Sequence, residues 1–401
     1  MRHISADYIF PISSEPIKNG VITIDDEGTI LEVNTQSSNQ QPTSDIQYYK
    51  GIICPGFINA HCHLELSHLR SQISENLGMA GFINEILTKR FNYSEQQVQQ
   101  AIQDAEAEMI KNGIVAVGDI SNNNSTFRQK AKQNLKYHTF IEVFNLDDNK
   151  AEETFEKGIQ LQCEIANIQH PTSKINSSIV PHAPYTMSEK LLKLINEYAF
   201  VNKSITTIHN QESREESELF ISKSGKIFDL FVSMGINPDL MCQTGINSLR
   251  STLPYLLKAE KLLLVHNTYT SGEDIQFIKS QISNLKSQIY FCTCPNANIY
   301  IENKLPNYNY FIEENIPLTI GTDSLASNWS LSISDELKTI SKHFPDIPLQ
   351  TLLTWATKNG ADFLGFDELG TIEKGKTPGL NLFSNMDGLQ ITKQTEVLKL
   401  V

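Results

Sequence analysis

The sequence predicts an α/β chain: a (β/α)8 TIM-type barrel with a small β-sandwich made from the N- and C-terminal segments. Three observations carry this. After Gly51, short β-branched runs alternate with amphipathic helical stretches, and strand–helix alternation gives parallel sheets because parallel neighbours need a crossover connection. Eight runs can be counted, at 52–60, 114–120, 138–144, 178–181, 205–208, 262–265, 289–292 and 318–321; that number favours a closed barrel over an open doubly wound sheet. Both ends of the chain read as β without intervening helices.

Taken in order, Val21-Ile22-Thr23-Ile24 and Thr29-Ile30-Leu31-Glu32-Val33 flank Asp25-Asp26-Glu27-Gly28, a hairpin signature with Gly in the turn. Residues 34–45 are rich in Ser, Gln and Asn and offer no core face, so they read as loop. Helical stretches are expected at 95–112, 188–201, 249–259, 331–344 and 349–364. Beyond them β character returns at 380–383 and 396–401. The expected division is 1–53 for the first part of the sandwich, 54–365 for the barrel, and 366–401 for the second part.

Composition bounds the partners. The 401 residues are 40% hydrophobic and 20% charged, as in an ordinary globular protein with a sizeable core. A net charge of −13 and a pI near 5.3 argue against nucleic acid and acidic membrane surfaces, which need a basic face. Met1-Arg2-His3-Ile4-Ser5-Ala6-Asp7 holds no signal-like apolar stretch, and no run is long enough to span a bilayer. Cys54, Cys62, Cys163, Cys242, Cys292 and Cys294 are scattered without a Cys-x-x-Cys pair, so reduced thiols and a cytoplasmic location are expected. The expected partner is a small molecule, with a homodimer left open.

Chemistry in a barrel collects at the C-terminal ends of the strands. Of the ten histidines, five close a run: His61, His63, His182, His209 and His266. Asp323 follows the eighth run in Gly321-Thr322-Asp323-Ser324. In an extended strand residues i and i+2 face the same side, so His61 and His63 can aim at one ion while Cys62 points away. Taken singly, each histidine is more often a structural hydrogen-bonder. Several imidazoles and a carboxylate converging on one face are hard to explain without a metal, and they suit Zn²⁺ and Fe²⁺ alike.

These residues match a known pattern. Pro55-Gly56-Phe57-Ile58-Asn59-Ala60-His61-Cys62-His63, His209 with Glu212, His266 and Gly321-Thr322-Asp323 resemble the amidohydrolase superfamily, in its cytosine deaminase, S-adenosylhomocysteine deaminase and chlorohydrolase-like branch. The resemblance covers nearly the whole chain. It implies His61, His63, His209 and Asp323 as ligands of one divalent metal, Zn²⁺ first and Fe²⁺ second. Binuclear members carry a bridging lysine on strand four, where this chain has His182 and no Lys. It implies Glu212 as proton shuttle, His266 as the group that polarises water or substrate, and Asp323 as ligand and general base together. Glu212 also sits among Glu215, Glu216 and Glu218, which alone would read as a solvated helix start. One departure is visible near the C-terminus. Relatives usually have Ala-Asp-Leu after Gly-Lys-x, and this chain has Thr377-Pro378-Gly379-Leu380-Asn381-Leu382.

The run His63-Leu64-Glu65-Leu66-Ser67-His68-Leu69-Arg70 and the segment Pro181-His182-Ala183-Pro184-Tyr185-Thr186 resemble aminodeoxyfutalosine deaminase-like members. They imply hydrolytic deamination of an adenine-type ring in a nucleoside-like substrate, feeding menaquinone synthesis, with Glu65 and His182 as substrate contacts. Glu65 could instead pair with Arg70, and His182 could simply cap a loop. The substrate so implied carries a benzoate, and a buried carboxylate wants a cation; Arg70, Arg90 and Arg214 are the arginines near candidate loops. Two other readings stay open: a chlorohydrolase or other amidine or amide hydrolase on the same scaffold, and a non-catalytic metal-binding scaffold.

Overall fold

The computed structural model describes residues 1–35, 45–168, 175–241, 244–282 and 288–401; residues 36–44 of the loop expected at 34–45 lie outside the described residues. In chain order the strands are β1 (Arg2–Ile9), β2 (Ile17–Lys18), β3 (Gly20–Ile24), β4 (Ile30–Thr35), β5 (Ile46–Pro55), β6 (Phe57–Cys62), β7 (Ile114–Ser121), β8 (Lys136–Val143), β9 (Asn176–Pro181), β10 (Thr206–Asn210), β11 (Lys261–His266), β12 (Gln288–Thr293), β13 (Leu318–Ile320), β14 (Leu380–Ser384) and β15 (Glu396–Lys399). The fold is mixed α/β with parallel sheets.

The two ends of the chain pair with each other. β14 runs antiparallel to β5, with Leu382 opposite Ile53, in a seven-stranded sheet ordered β15-β14-β5-β1-β3-β4 with β2 on β1. Ile4, Ile22, Ile30, Ile53 and Leu382 share its core. Where a sandwich is expected, the described strands form one hydrogen-bonded sheet. The β3–β4 hairpin forms as expected. Asp25 accepts from the backbone N–H of Glu27 and Thr29 at 3.0 and 2.8 Å, and Gly28 takes φ +85° in the turn.

The first expected run, 52–60, divides at Gly56 between the two parts of the fold. Its front half ends β5 and its back half becomes β6. A Cβ at Gly56 would lie 2.4 Å from Val115 and 2.7 Å from the Pro378 carbonyl, so only glycine lets the chain pass there.

β6-β7-β8-β9 and β10-β11-β12-β13 form two four-stranded sheets, parallel throughout. Their strands read as near-continuous apolar runs because both faces are covered. The sheets also meet edge to edge. His209 N donates to His182 O at 2.9 Å, and Thr322 N and Asp323 N donate to His61 O at 3.0 and 3.1 Å.

Helix Glu95–Lys111 starts at a Ser94/Gln97 capping box, which satisfies donors the first turn leaves open. Two helical expectations are shortened. Over 249–259 the α-helix is Ser248–Thr252, followed by a 3-10 turn at Leu253–Tyr255, because Pro254 lacks an N–H. Over 349–364 there are two helices, Leu349–Ala356 and Lys358–Leu364. They part at Thr357, whose hydroxyl donates back to Leu353 O at 2.6 Å, a local bond that competes with helix continuation. Among the described residues no helix is long and apolar enough to cross a membrane, and the cysteines there (Cys54, Cys62, Cys163, Cys292 and Cys294) are free.

Candidate active site

The strand ends bring five predicted residues to one place. His63 Nε2 lies 3.2 Å from both His61 Nε2 and His209 Nε2. Asp323 Oδ1 is 3.5 Å from His63 Nε2 and 3.8 Å from His61 Nε2. Four ligands at ~2.0–2.1 Å from a tetrahedral ion are about 3.3–3.4 Å apart, so the donor spacing suits one cation. Three facing ring nitrogens cannot all be satisfied by protons shared among them. Burial and neighbouring imidazoles hold His61 and His63 well below the usual histidine range, and burial first, then His182, takes His209 down to about 4. Neutral imidazole is the form that ligates metal. The β6–β7 register shifts between Asn59 and Cys62, and Cys62 packs with Phe57 and Leu64 in the outer core, away from the cluster as expected.

The cluster is braced from outside. His209 Nδ1 bonds the His182 carbonyl at 2.7 Å, and Asp323 Oδ2 accepts from the Ser327 hydroxyl at 2.6 Å. His266 Nδ1 meets Asn298 Oδ1 at 2.9 Å; with the proton there, His266 Nε2 keeps a free lone pair. The backbone turns sharply at these strand ends: Gln211, His266, Asn267 and Asp323 take φ of 45°, 72°, 58° and 57°. Such left-handed non-glycine residues are strained and persist where the surroundings hold them. Asn267 is held by its side-chain bonds to the Leu264 and Cys292 carbonyls, at 2.7 and 3.0 Å.

Glu212 lies beside the cluster, its Oε1 3.4 Å from His266 Nε2. Burial, then Asp323, pushes its carboxyl well above the ordinary range, while burial takes His266 down to about 4. Burial thus opposes charge on the Glu212 carboxyl and on the His266 imidazole alike, a pairing suited to proton transfer. The turn carrying Glu212 is clamped by Glu216, whose two oxygens accept from Gln211 N at 3.1 Å and Glu212 N at 3.0 Å. Glu215 and Glu216 are buried, unlike the solvated helix start that their composition suggests.

A cavity of about 640 Å³ opens over the cluster. His63, His182, His209, Glu212 and Asp323 reach it, with an apolar wall that includes Met79, Phe82, Ile83 and Ile86. The structure turns two of the expected substrate residues elsewhere. Arg70 pairs with Glu108 and Arg214 with Glu218, its i+4 neighbour, and neither lines the cavity. Of the three arginines it is Arg90 that lines the cavity. Glu65, an expected substrate contact, is buried and does not line the cavity; one oxygen accepts from Asn122 N at 3.1 Å, and burial pushes the carboxyl up to about 8. His182 lines the cavity, its Nδ1 2.9 Å from the Thr186 hydroxyl.

Sequence reasoning missed Glu142 and Asn122, which also line the cavity. Asn122 Nδ2 donates to Glu142 Oε2 at 2.8 Å, and Glu142 Oε1 lies 3.6 Å from His209 Nδ1. The available signal was an acid inside the apolar run Phe140-Ile141-Glu142-Val143 near the end of the third barrel run.

Three imidazoles and a carboxylate gathered beside a buried acid form a donor set that could hold a metal ion. The Amidohydrolase family model matches residues 52–399, and the chain belongs to that family. It is similar to adenosine deaminase of Helicobacter pylori, 27% identical over 369 residues that span 89% of this chain and 85% of the relative. It is also similar to aminodeoxyfutalosine deaminase of a Nitratiruptor species, 24% identical over 93% of this chain and 89% of the relative. Helicobacter pylori aminofutalosine deaminase in complex with methylthio-coformycin superposes with a TM-score of 0.80 at 24% identity, covering 98% of this chain and 94% of that one.

Proposed function

We propose that this protein is a metal-dependent hydrolytic deaminase that acts on the adenine-type ring of a nucleoside-like substrate and releases ammonia. The observation that carries the reading is the four-donor cluster with Glu212 and His266 at its side, on the floor of the cavity. The deaminase names of the relatives point the same way. We read the two parallel sheets, joined at both edges, as one closed (β/α)8 barrel over 54–365, with 1–53 and 366–401 supplying the terminal sheet.

His61, His63, His209 and Asp323 would hold one divalent ion, Zn²⁺ by preference for three imidazoles and a carboxylate, with Fe²⁺ suited to the same donors. Such an ion makes water acidic enough to serve as nucleophile near neutral pH. Asp323 Oδ1 takes a proton from the attacking water, with Oδ2 kept in place by Ser327. His266 Nε2 orients that water through its lone pair. Glu212 gives its proton to a ring nitrogen and regains one from the hydroxyl formed at the ring carbon, while Asp323 passes the proton it took to the departing amino group. The water oxygen stays on the ring carbon as a carbonyl, one proton stays on the ring nitrogen, and ammonia leaves. His182, neutral because burial takes it down to about 4, faces the ring. Arg90 is the cation for a substrate carboxylate such as the benzoate of aminodeoxyfutalosine. Free thiols and the acidic surface support a cytoplasmic enzyme with a small-molecule substrate.

The test is ammonia release by metal-loaded protein across adenine nucleosides, aminodeoxyfutalosine, guanine, cytosine and chlorotriazines. Turnover of an adenine nucleoside or of aminodeoxyfutalosine is expected. Chloride release from a chlorotriazine, with no ammonia from any adenine compound, overturns the reading.

A further inference from the structure

The cavity's apolar wall is helix Gly78–Lys89, and this helix has no cap of its own. Leu77, at its N-cap, offers no side-chain acceptor, and the chain enters through Asn76 and Gly78 at φ 59° and 68°. The first N–H groups of a helix have no acceptor within it. Here two carboxylates from distant parts of the chain take them. Met79 N donates to Glu302 Oε1 at 3.1 Å, and Ala80 N donates to Glu215 Oε2 at 3.0 Å. Both charges suit the positive end of the helix dipole.

Each carboxylate is itself tied down. Glu302 accepts from the Tyr269 hydroxyl at 3.2 Å through its other oxygen. Glu215 is buried, with Lys226 Nζ 3.8 Å away. A Cβ on Gly78 would lie 3.2 Å from Glu215 Oε1, so the helix start is pressed against this carboxylate. Glu215 stands three residues after Glu212, next to the Glu216 that clamps the catalytic turn. One short stretch thus holds the proton-carrying turn and reaches across to the wall. Beyond the cap, the wall helix presents Met79, Phe82, Ile83 and Ile86 to the cavity and ends at Arg90.

We propose that Glu215 and Glu302 form a tertiary cap that seats the wall helix, making Glu215 a positioning residue that ties the catalytic turn to the far end of the substrate. The proposal rests on the deaminase reading only in the choice of substrate.

The experiment compares wild type, Glu215→Ala, Glu215→Gln and Glu302→Ala as metal-loaded enzymes, by kinetics and by amide hydrogen exchange. Glu215→Ala is expected to raise KM for a substrate with a large 5′ substituent by about tenfold or more. Its kcat should change much less, and plain adenosine, which reaches less of the wall, should be affected less. Glu215→Gln keeps an acceptor oxygen and is expected to recover most of the loss. Amides of residues 79–90 should exchange faster in Glu215→Ala, and those of β10 and β11 should not. Unchanged exchange over 79–90, or a fall in kcat with KM intact, overturns the proposal. If Glu215→Ala does not fold, Glu302→Ala must show the same local exchange pattern or the proposal fails. Should wild type deaminate no adenine compound while 79–90 still loosens in the variants, the deaminase reading falls and the cap stands.

Discussion

The floor and the wall of the cavity are built in different ways. The floor is made of strand ends, where a side chain's direction follows from its place in the sheet and His63 Nε2 lies 3.2–3.5 Å from the donors of His61, His209 and Asp323. The wall is made of helices held by contacts between residues far apart in sequence, such as Ala80 with Glu215 and Met79 with Glu302. A floor of this kind fixes the reaction. A wall of this kind can be altered without touching the chemistry, which suits a family that applies one floor to several substrates.

The sharpest way to break this contrast is to remove one of the metal ligands proposed on the floor. Asp323→Ala or His209→Ala is expected to lose the ion and lower turnover by more than about 10³-fold, since a bound metal supplies several kcal/mol of transition-state stabilisation. Metal analysis of the purified variant alongside its rate checks this, and an active variant without metal would remove the distinction between floor and wall.

Changes to the wall should be smaller and selective. Arg90→Ala is expected to raise KM about tenfold or more for a carboxylate-bearing substrate, the worth of one charged hydrogen bond, and to leave a neutral nucleoside little changed. Equal losses on both substrates in steady-state kinetics would return Arg90 to a structural role.

The smallest effect concerns stability rather than the reaction. Burial pushes Glu336 up to about 8, although Asn296 N and Asn328 Nδ2 donate to it at 2.8 and 2.7 Å. The folded protein therefore holds a proton that the unfolded chain releases above ~4.3. Between that pH and about 8 the folded state binds more protons, so stability falls as pH rises. Burial raises Glu216 to about 7, which adds to the same trend. Glu336→Gln, always neutral, should lessen the decline of Tm across this window, measured by thermal melts at saturating metal. An unchanged slope would mean that Glu336 is not the source.

How much could be read in the sequence follows the same division. His61, His63, His209, His266 and Asp323 were legible because strand-end position sets both their location and their direction. Arg70 and Arg214 were not, because closeness in sequence to an active-face loop says nothing about where a long side chain turns; Glu108 and Glu218 took them. Glu215 and Glu216 looked like a solvated acidic run, and only the tertiary partners at Ala80, Gln211 and Glu212 explain their burial. Run 52–60 looked like a single strand because nothing local marks Gly56 as the crossing between the terminal sheet and the parallel one. Gly379, at the position of the expected acid, takes φ 68°, and a Cβ there would lie 2.9 Å from Val115, so this departure changes packing near the terminal sheet and leaves the site alone.

The central claim is that Glu212 moves protons without holding the metal. Glu212→Gln, assayed for bound metal and ammonia release on the same preparation, tests it most directly. The account predicts an ion content equal to wild type and deamination reduced by roughly 10²–10⁴-fold, the usual share of a general acid–base group. Near-full turnover, or loss of the ion, would contradict it.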